Sequence, residues 1–495
     1  MKHTISRFAG EVVVLAAVML LFFAGQLAAS FIIQGGSLAL GTPYDIADFR
    51  HINNLYNRSL NQLTGVIFTT VAIAVPLTAN MYSLKFLDFF LKDRVNAIAL
   101  ILVILTNATN TWTGYLSRTS YIPILEFEIT TVLTLLCYAL VFPYLYYIFR
   151  FLHPHTLFER LIAETGSHLA RTVRRPQQAR GLRPRMAASV EHIASIAVRS
   201  VDRIDRNTAI ESVAALDNVM RRYWSVKNQL PAGWFTADSG FFLGYSSAAI
   251  EDMTATRSWV EMKVFGQLFE VLKAAIPQMP ELTSAVGESL RLLGLEQVAR
   301  SDPALRELVV EYFNTFVRLA LTRRDVRSVF FVFNQYRNFA QEINDEAPDL
   351  VNEIAYYFGY YAQIARDMQL NFVVEAVAHD LGLLVQAAWA ADAPNRQDLL
   401  ELFLDFDAQA AQPLPGVKKA QAILASYFLV TGHDAAAQQI RETFTQLDAR
   451  FKRQIYMDLL HIKRDKYWEV NERRINIDYM PDDQREKLSE FFEAT

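Results

Sequence analysis

Four long apolar runs crowd the first third of this chain, at residues 10–34, 63–84, 95–116 and 122–151, and no water-soluble domain could bury them all. Each supplies the ~20 apolar residues that a helix needs to cross a bilayer. From residue 152 onward the chain reads as a soluble, helical body. The expected fold is therefore all-α. A four-helix transmembrane bundle (1–151) leads through a basic juxtamembrane linker (152–185) to a helical hairpin with an aromatic loop (186–250). A cytoplasmic helical-repeat domain of solenoid or tetratricopeptide-like form (251–495) follows.

The first run has a short basic lead, with Lys2 and Arg7, and small residues at Ala28, Ala29 and Ser30, as a signal peptide would. Residues 12–33 nevertheless exceed the ~7–15-residue core of such peptides, so an uncleaved anchor is the better reading. Orientation follows from the basic residues. Lys2 and Arg7 precede the first run, Lys85, Lys92 and Arg94 lie between the second and third, and Arg150, Arg160, Arg171, Arg174 and Arg175 follow the fourth. The alternate loops hold only Arg50, Arg58 and Arg118. That bias places both termini and the large body in the cytoplasm. Residues 45–60 suit a short helix on the outer face. Residues 82–94 mix Phe86, Phe89 and Phe90 with Lys85, Asp88 and Lys92, as an interfacial amphipathic segment would.

Hydroxyls and amides recur at one depth in three spans: Thr69 and Thr70, then Thr106, Asn107, Thr109 and Asn110, then Thr130, Thr131 and Thr134. Two readings stand. Interhelical hydrogen bonds at about 0.6 kcal/mol each would explain the layer. So would a polar vestibule for an ion or small solute, with Glu126 and Glu128 near its mouth. No Asp, Lys or Arg lies at mid-depth, which argues against a proton-coupled relay.

Beyond the fourth run, Arg171, Arg174, Arg175, Arg180, Arg183 and Arg185 gather around Pro176 and Pro184. Next to a bilayer such a cluster faces anionic headgroups, at about 1 kcal/mol per basic residue near the surface. No aromatic residues interleave for base stacking, so nucleic acid is not expected. The single cysteine, Cys137, excludes an internal disulfide, and His153 and His155 lack a nearby third metal ligand.

In the body, the pattern predicts a helix hairpin over 186–224, the second helix starting at Asn207 with a capping box from Thr208 to Glu211. Residues 231–244 break the periodicity. Trp234, Phe235, Phe241 and Phe242 point to a short strand pair or an ordered aromatic loop, either a docking surface or a segment folded onto the core. Helices are then predicted near 256–277, 281–297, 303–323, 325–344, 348–369, 372–391, 397–407, 417–431, 434–448 and 450–467, punctuated by Pro280, Pro303, Asp325, Pro348, Pro394 and Gly432. The segments around 467–470 and 475–479 read as short strands, and 481–492 as a closing helix.

Catalytic motifs are missing: no phosphate-cradling loop, no H-E-x-x-H, no G-x-S-x-G. The neighbouring pairs His379-Asp380 and His433-Asp434 suit turns and caps better than acid–base work. No enzyme and no cofactor is expected.

The stretch from Leu63-Thr64-Gly65-Val66 through Ala79-Asn80-Met81-Tyr82-Ser83 to Phe90-Leu91-Lys92-Asp93-Arg94, with 192–218 including Ala197, Ser200, Asp205 and Leu216, resembles a widespread bacterial family of membrane proteins known only by a domain-of-unknown-function label. Where that family has Ser-Pro, this chain has Ser83-Leu84. The resemblance covers about the first half and implies a polytopic inner-membrane protein with a cytoplasmic domain, but no activity. The expectation is a scaffold in the bacterial inner membrane that forms homo-oligomers and recruits protein partners. The alternative is an oligomeric channel or transporter lined by the Thr/Asn layer.

Overall fold

A computed structural model of the chain describes residues 46–82, 85–117, 124–406, 412–467, 473 and 475–493. The first apolar run, 10–34, lies outside them. The chain divides into two compact units, with the boundary in the sequence between Arg160 and Leu161. Among the described residues the regular structure is helical throughout, and residues 475–479 form turns where a strand was expected.

The N-terminal unit contains α1 (Ile46–Met81), α2 (Lys85–Lys92), α3 (Arg94–Leu116) and α4 (Ile124–Phe151). The expected outer helix and second span are one 36-residue helix. The reason is local: nothing between Leu60 and Leu63 breaks a helix, and the Ser59 hydroxyl turns back onto the Leu55 carbonyl at 2.8 Å. Arg50, on the added turns, donates from Nε and Nη2 to the Ser117 carbonyl at 2.9 and 2.7 Å, a cation at the C-terminal end of α3. The Phe49 ring is fully buried 4.7 Å from Phe127.

Four described helices are long and apolar enough to cross a membrane: 47–81, 94–115, 127–151 and 371–390. The first three bury only 17–22% of their apolar window within the protein, whereas the fourth buries 61%. The first three therefore need a hydrocarbon environment, and the fourth has its own protein core.

Helix α5 (Pro154–Arg174) carries the chain into the body. The body comprises α6 (Ala179–Asp202), α7 (Arg206–Trp224), α8 (Ser247–Ala255), α9 (Trp259–Gln278), α10 (Pro280–Gly294), α11 (Gln297–Arg300) and α12 (Pro303–Thr322). It continues with α13 (Val326–Ile343), α14 (Pro348–Asp367), α15 (Asn371–Ala390), α16 (Arg396–Asp405), α17 (Pro415–Thr431), α18 (Asp434–Glu442), α19 (Ala449–His461) and α20 (Asp482–Glu493). Helices α6, α9, α12, α14 and α16 pack successively in one layer, and α7, α10, α13, α15, α17 and α20 in a second. Each antiparallel pair covers the apolar flank of the one before, as in an α-solenoid.

The joints of this stack share a device. Ile204, Arg324, Gln369, Asp392 and Gly432 take left-handed φ values of 60, 55, 62, 51 and 78°. In each case the next amide reaches back to a carbonyl one turn inside the finished helix, as Asp205 to Ser200 at 2.8 Å and Asp325 to Ala320 at 3.1 Å. Asp205 and Asp325 then cap the following helix through the amides of Thr208 (3.2 Å) and Ser328 (3.4 Å). The cap of α7 is thus Asp205, and the box expected from Thr208 to Glu211 is displaced by it.

Candidate functional site

Helices α3 and α4 run antiparallel, and their polar residues meet in register. Thr113 and Thr130 approach to 3.2 Å, and Thr106 and Cys137 to 3.4 Å. On the other flank of α3, Asn107 donates to Thr64 at 3.1 Å and Asn53 to the Asn110 carbonyl at 3.4 Å. Gly114 permits this approach, since a Cβ there would meet the Asn53 amide nitrogen at 2.8 Å. Of the expected layer, Thr106, Asn110, Thr130 and Thr134 are buried, and Asn107 and Thr131 are half-buried. Thr69 is exposed and Thr70 half-buried, so depth alone did not assign their face. Thr131 bonds its own helix at the Phe127 carbonyl, 2.9 Å away. Asn53, Thr64, Thr113 and Cys137 complete the seam.

Several seam atoms lack a hydrogen-bond partner: both side-chain polar atoms of Asn110, Thr134 Oγ1, and the side-chain oxygens of Asn53 and Asn107. Asn110 is completely buried. An unmet amide in a low-dielectric setting costs about 1–3 kcal/mol, and a site with several such groups suits a water or a small neutral solute.

A second polar node lies where α2, α3 and α4 converge. Asp93 caps α3 by accepting from the amides of Val95 (3.0 Å) and Asn96 (3.3 Å). It also accepts from Tyr147 Oη at 2.7 Å and Arg160 Nη2 at 3.1 Å. The Arg160 guanidinium lies 4.0 Å over the Phe151 ring. One carboxylate thus ties a cap, a tyrosine and a cation together.

The basic segment is mostly helical: its arginines lie on α5 and α6, with Arg175 at the start of a short 3₁₀ turn at Pro176–Gln178. Arg171, Arg174, Arg175, Arg180 and Arg185 are exposed. Arg183 is a correction to the expected lipid-facing set. It is buried and donates to the Thr236 carbonyl, because its position on α6 faces the aromatic loop.

That loop forms 3₁₀ turns at Ala232–Trp234 and Ser239–Phe241, not strands. Trp234, Phe235 and Phe242 are buried, and Phe241 is half-buried. Trp234 and Phe241 pack on Trp259 of α9 at 5.6 and 5.7 Å, and Trp259 Nε1 donates to the Trp234 carbonyl at 2.9 Å. The loop is folded onto the core, and of its aromatic-rich end it is Leu243 that stands clear, 88% exposed.

Sequence reasoning missed the most heavily built polar site of the body. His379 and Asp380 sit at the centre of α15, not at a turn or cap. Asp380 is fully buried and accepts from Arg473 Nη1 at 2.8 Å and Nη2 at 3.0 Å, and from Arg337 Nε at 3.1 Å. Arg473 also donates to the Phe330 carbonyl at 2.6 Å, with its guanidinium 3.7 Å over the Phe330 ring. The only signal was an acid in the middle of a mostly apolar helix, and Glu375 five residues earlier blurred it.

No family model, no curated protein and no solved structure matches this chain.

Proposed function

We propose that this protein is a membrane-anchored helical scaffold whose body, on the cytoplasmic side of a bacterial inner membrane, recruits protein partners. The observation that carries the reading is the unbroken two-layer stack from α6 to α20. Stacks of this kind present long surfaces assembled from successive helix pairs, suited to extended ligands. The basic residues flanking the apolar runs support the orientation. The exposed arginines 171, 174, 175, 180 and 185 support contact with anionic headgroups beside the body.

The test is capture from native membranes by the full chain, compared with a fragment of residues 161–495. The scaffold reading requires the fragment to be soluble, helical and bound by the same partners. A fragment that folds but loses every partner would contradict it.

A second reading is favoured by Asn110, buried with both polar side-chain atoms unmet: a small-solute pathway along the seam, in an oligomer. With Cys137 replaced by serine, a single cysteine at Asn107 or Thr131 would react with a membrane-impermeant thiol reagent if an aqueous lumen reached it. Absence of labelling counts against the pathway, and solute flux in liposomes abolished by Asn107→Leu would support it over the scaffold.

A further inference from the structure

A crevice lies among α1, α3 and α4, with about 430 Å³ of empty space counting its open side. Its floor is Ile67, Cys137 and Tyr144, all buried. Half-buried Leu100 and Leu140 stand in its walls, and exposed Phe68 stands at its rim. Among the described residues no charged side chain lines it. These three helices keep only 17–22% of their apolar windows inside the protein. The crevice therefore opens on hydrocarbon, and whatever fills it arrives through the bilayer.

One group in the floor asks for more than an apolar filler. Tyr144 is only 6% exposed, and its hydroxyl has no hydrogen-bond partner among the described residues. A buried phenol normally finds an acceptor, and hydrocarbon holds no water to supply one. The place of Tyr144 on α4 says which acceptor is at hand. It stands one turn before Tyr147 on the same face, and Tyr147 Oη donates to Asp93 at 2.7 Å. Asp93 and Arg160 are a charged pair, which belongs at the level of the headgroups. Three residues of helix set Tyr144 about 4.5 Å deeper. Just beneath a headgroup a glycerolipid carries its ester carbonyls, which accept and do not donate. Its acyl chains continue inward from there, as the crevice does from Tyr144 to Cys137. An apolar side chain in the same space would cover the walls and leave the phenol unmet.

We propose that this crevice is a binding site for one acyl chain of a bilayer glycerolipid. The ester carbonyl accepts from Tyr144 Oη, and the chain lies along Leu140 and Ile67 down to Cys137. The bound chain fills the gap among three helices and becomes part of their packing. The site is independent of partner recruitment by the body.

The test is photolabelling of the full chain in vesicles of ether-linked phosphatidylglycerol, which lacks the ester carbonyl. The vesicles are doped with a trace of phosphatidylglycerol carrying a diazirine midway along one chain, either ester-linked or ether-linked, and adducts are read by peptide mass spectrometry. Labelling of Leu140 and Val141 in the crevice is normalised to Val132, which is exposed to bulk lipid. On the parent protein the ester probe should label the crevice about fivefold more than the ether probe, as one neutral hydrogen bond warrants. On Tyr144→Phe, which keeps the ring, that preference should vanish while labelling of Val132 is unchanged. Equal labelling by the two probes on the parent overturns the proposal, and so does a preference that survives Tyr144→Phe. A crevice free of adducts, because residues 10–34 or a second copy fill it, overturns it too. Should Tyr144→Phe not fold, the comparison of the two probes on the parent decides alone.

Discussion

Asp380 and Arg473, 93 residues apart, form a two-pronged ion pair in which each guanidinium nitrogen of the fork meets its own carboxylate oxygen, at 2.8 and 3.0 Å. Both side chains are withdrawn from solvent, and Arg337 closes the node from the α13 side. Burial pulls the Arg337 guanidinium below its ordinary range, while Asp380 holds it up. Removing the shared anion leaves two buried cations facing each other, so Asp380→Asn should destabilise the body by about 3–5 kcal/mol. Lys419→Ala, which takes a more accessible cation from Asp458 and Asp478, should cost less, about 1 kcal/mol. Urea unfolding of both variants, followed by far-UV circular dichroism, checks the contrast.

His379, beside that node, is half-buried, and desolvation pulls its pKa down to about 4 even though Asp380 pushes the other way. Unfolded histidine takes its proton near pH 6.5, so the folded state binds fewer protons between pH 6.5 and 4. Its contribution is intact above that window and is lost as pH falls through it, about 2 kcal/mol by pH 5. His379→Leu should flatten the acid limb of a stability-against-pH curve.

Asp217 on α7 behaves in the opposite sense. Burial raises its pKa to about 6, against the Ser289 hydroxyl bond and Arg221, which lower it. The folded state therefore holds its proton more tightly, and the stability it brings is present below pH 4 and lost as pH rises through 6. Asp217→Asn, which can still accept from Ser289, should raise stability at pH 8 by about 1–2 kcal/mol and change little at pH 4. Thermal melts at the two pH values read this directly.

Ile204 is a β-branched residue at φ 60° and is 74% exposed, so it occupies a left-handed joint without packing to offset the strain. Ile204→Gly should stabilise the protein by about 1 kcal/mol. A loss of stability would mean that the joint between α6 and α7 is held in some other conformation.

Much of this architecture was legible in the sequence. Pro303, Asp325, Pro348 and Gly432 marked helix ends because each acts within one or two residues: proline at a first turn, aspartate as a cap, glycine at a left-handed end. The helix predicted near 372–391 belongs to the body although Asn371–Ala390 is apolar enough to span, and its burial agrees. Position along a span carries no azimuth, which is why Thr130 and Thr134 lie inside the seam while Thr69 faces out. The fusion of α1 escaped because polarity was mistaken for a break. The Asp380 node escaped because its partners stand 43 and 93 residues away, and no local pattern encodes such a distance.

The account rests on hydrocarbon holding the N-terminal helices and water holding the body. Alkaline carbonate washing of membranes carrying the full chain, beside a fragment of residues 161–495, tests that division most directly. The full chain should stay in the pellet until detergent is added, while the fragment should remain in the supernatant as a folded helical protein. Release of the full chain by carbonate alone would contradict the account.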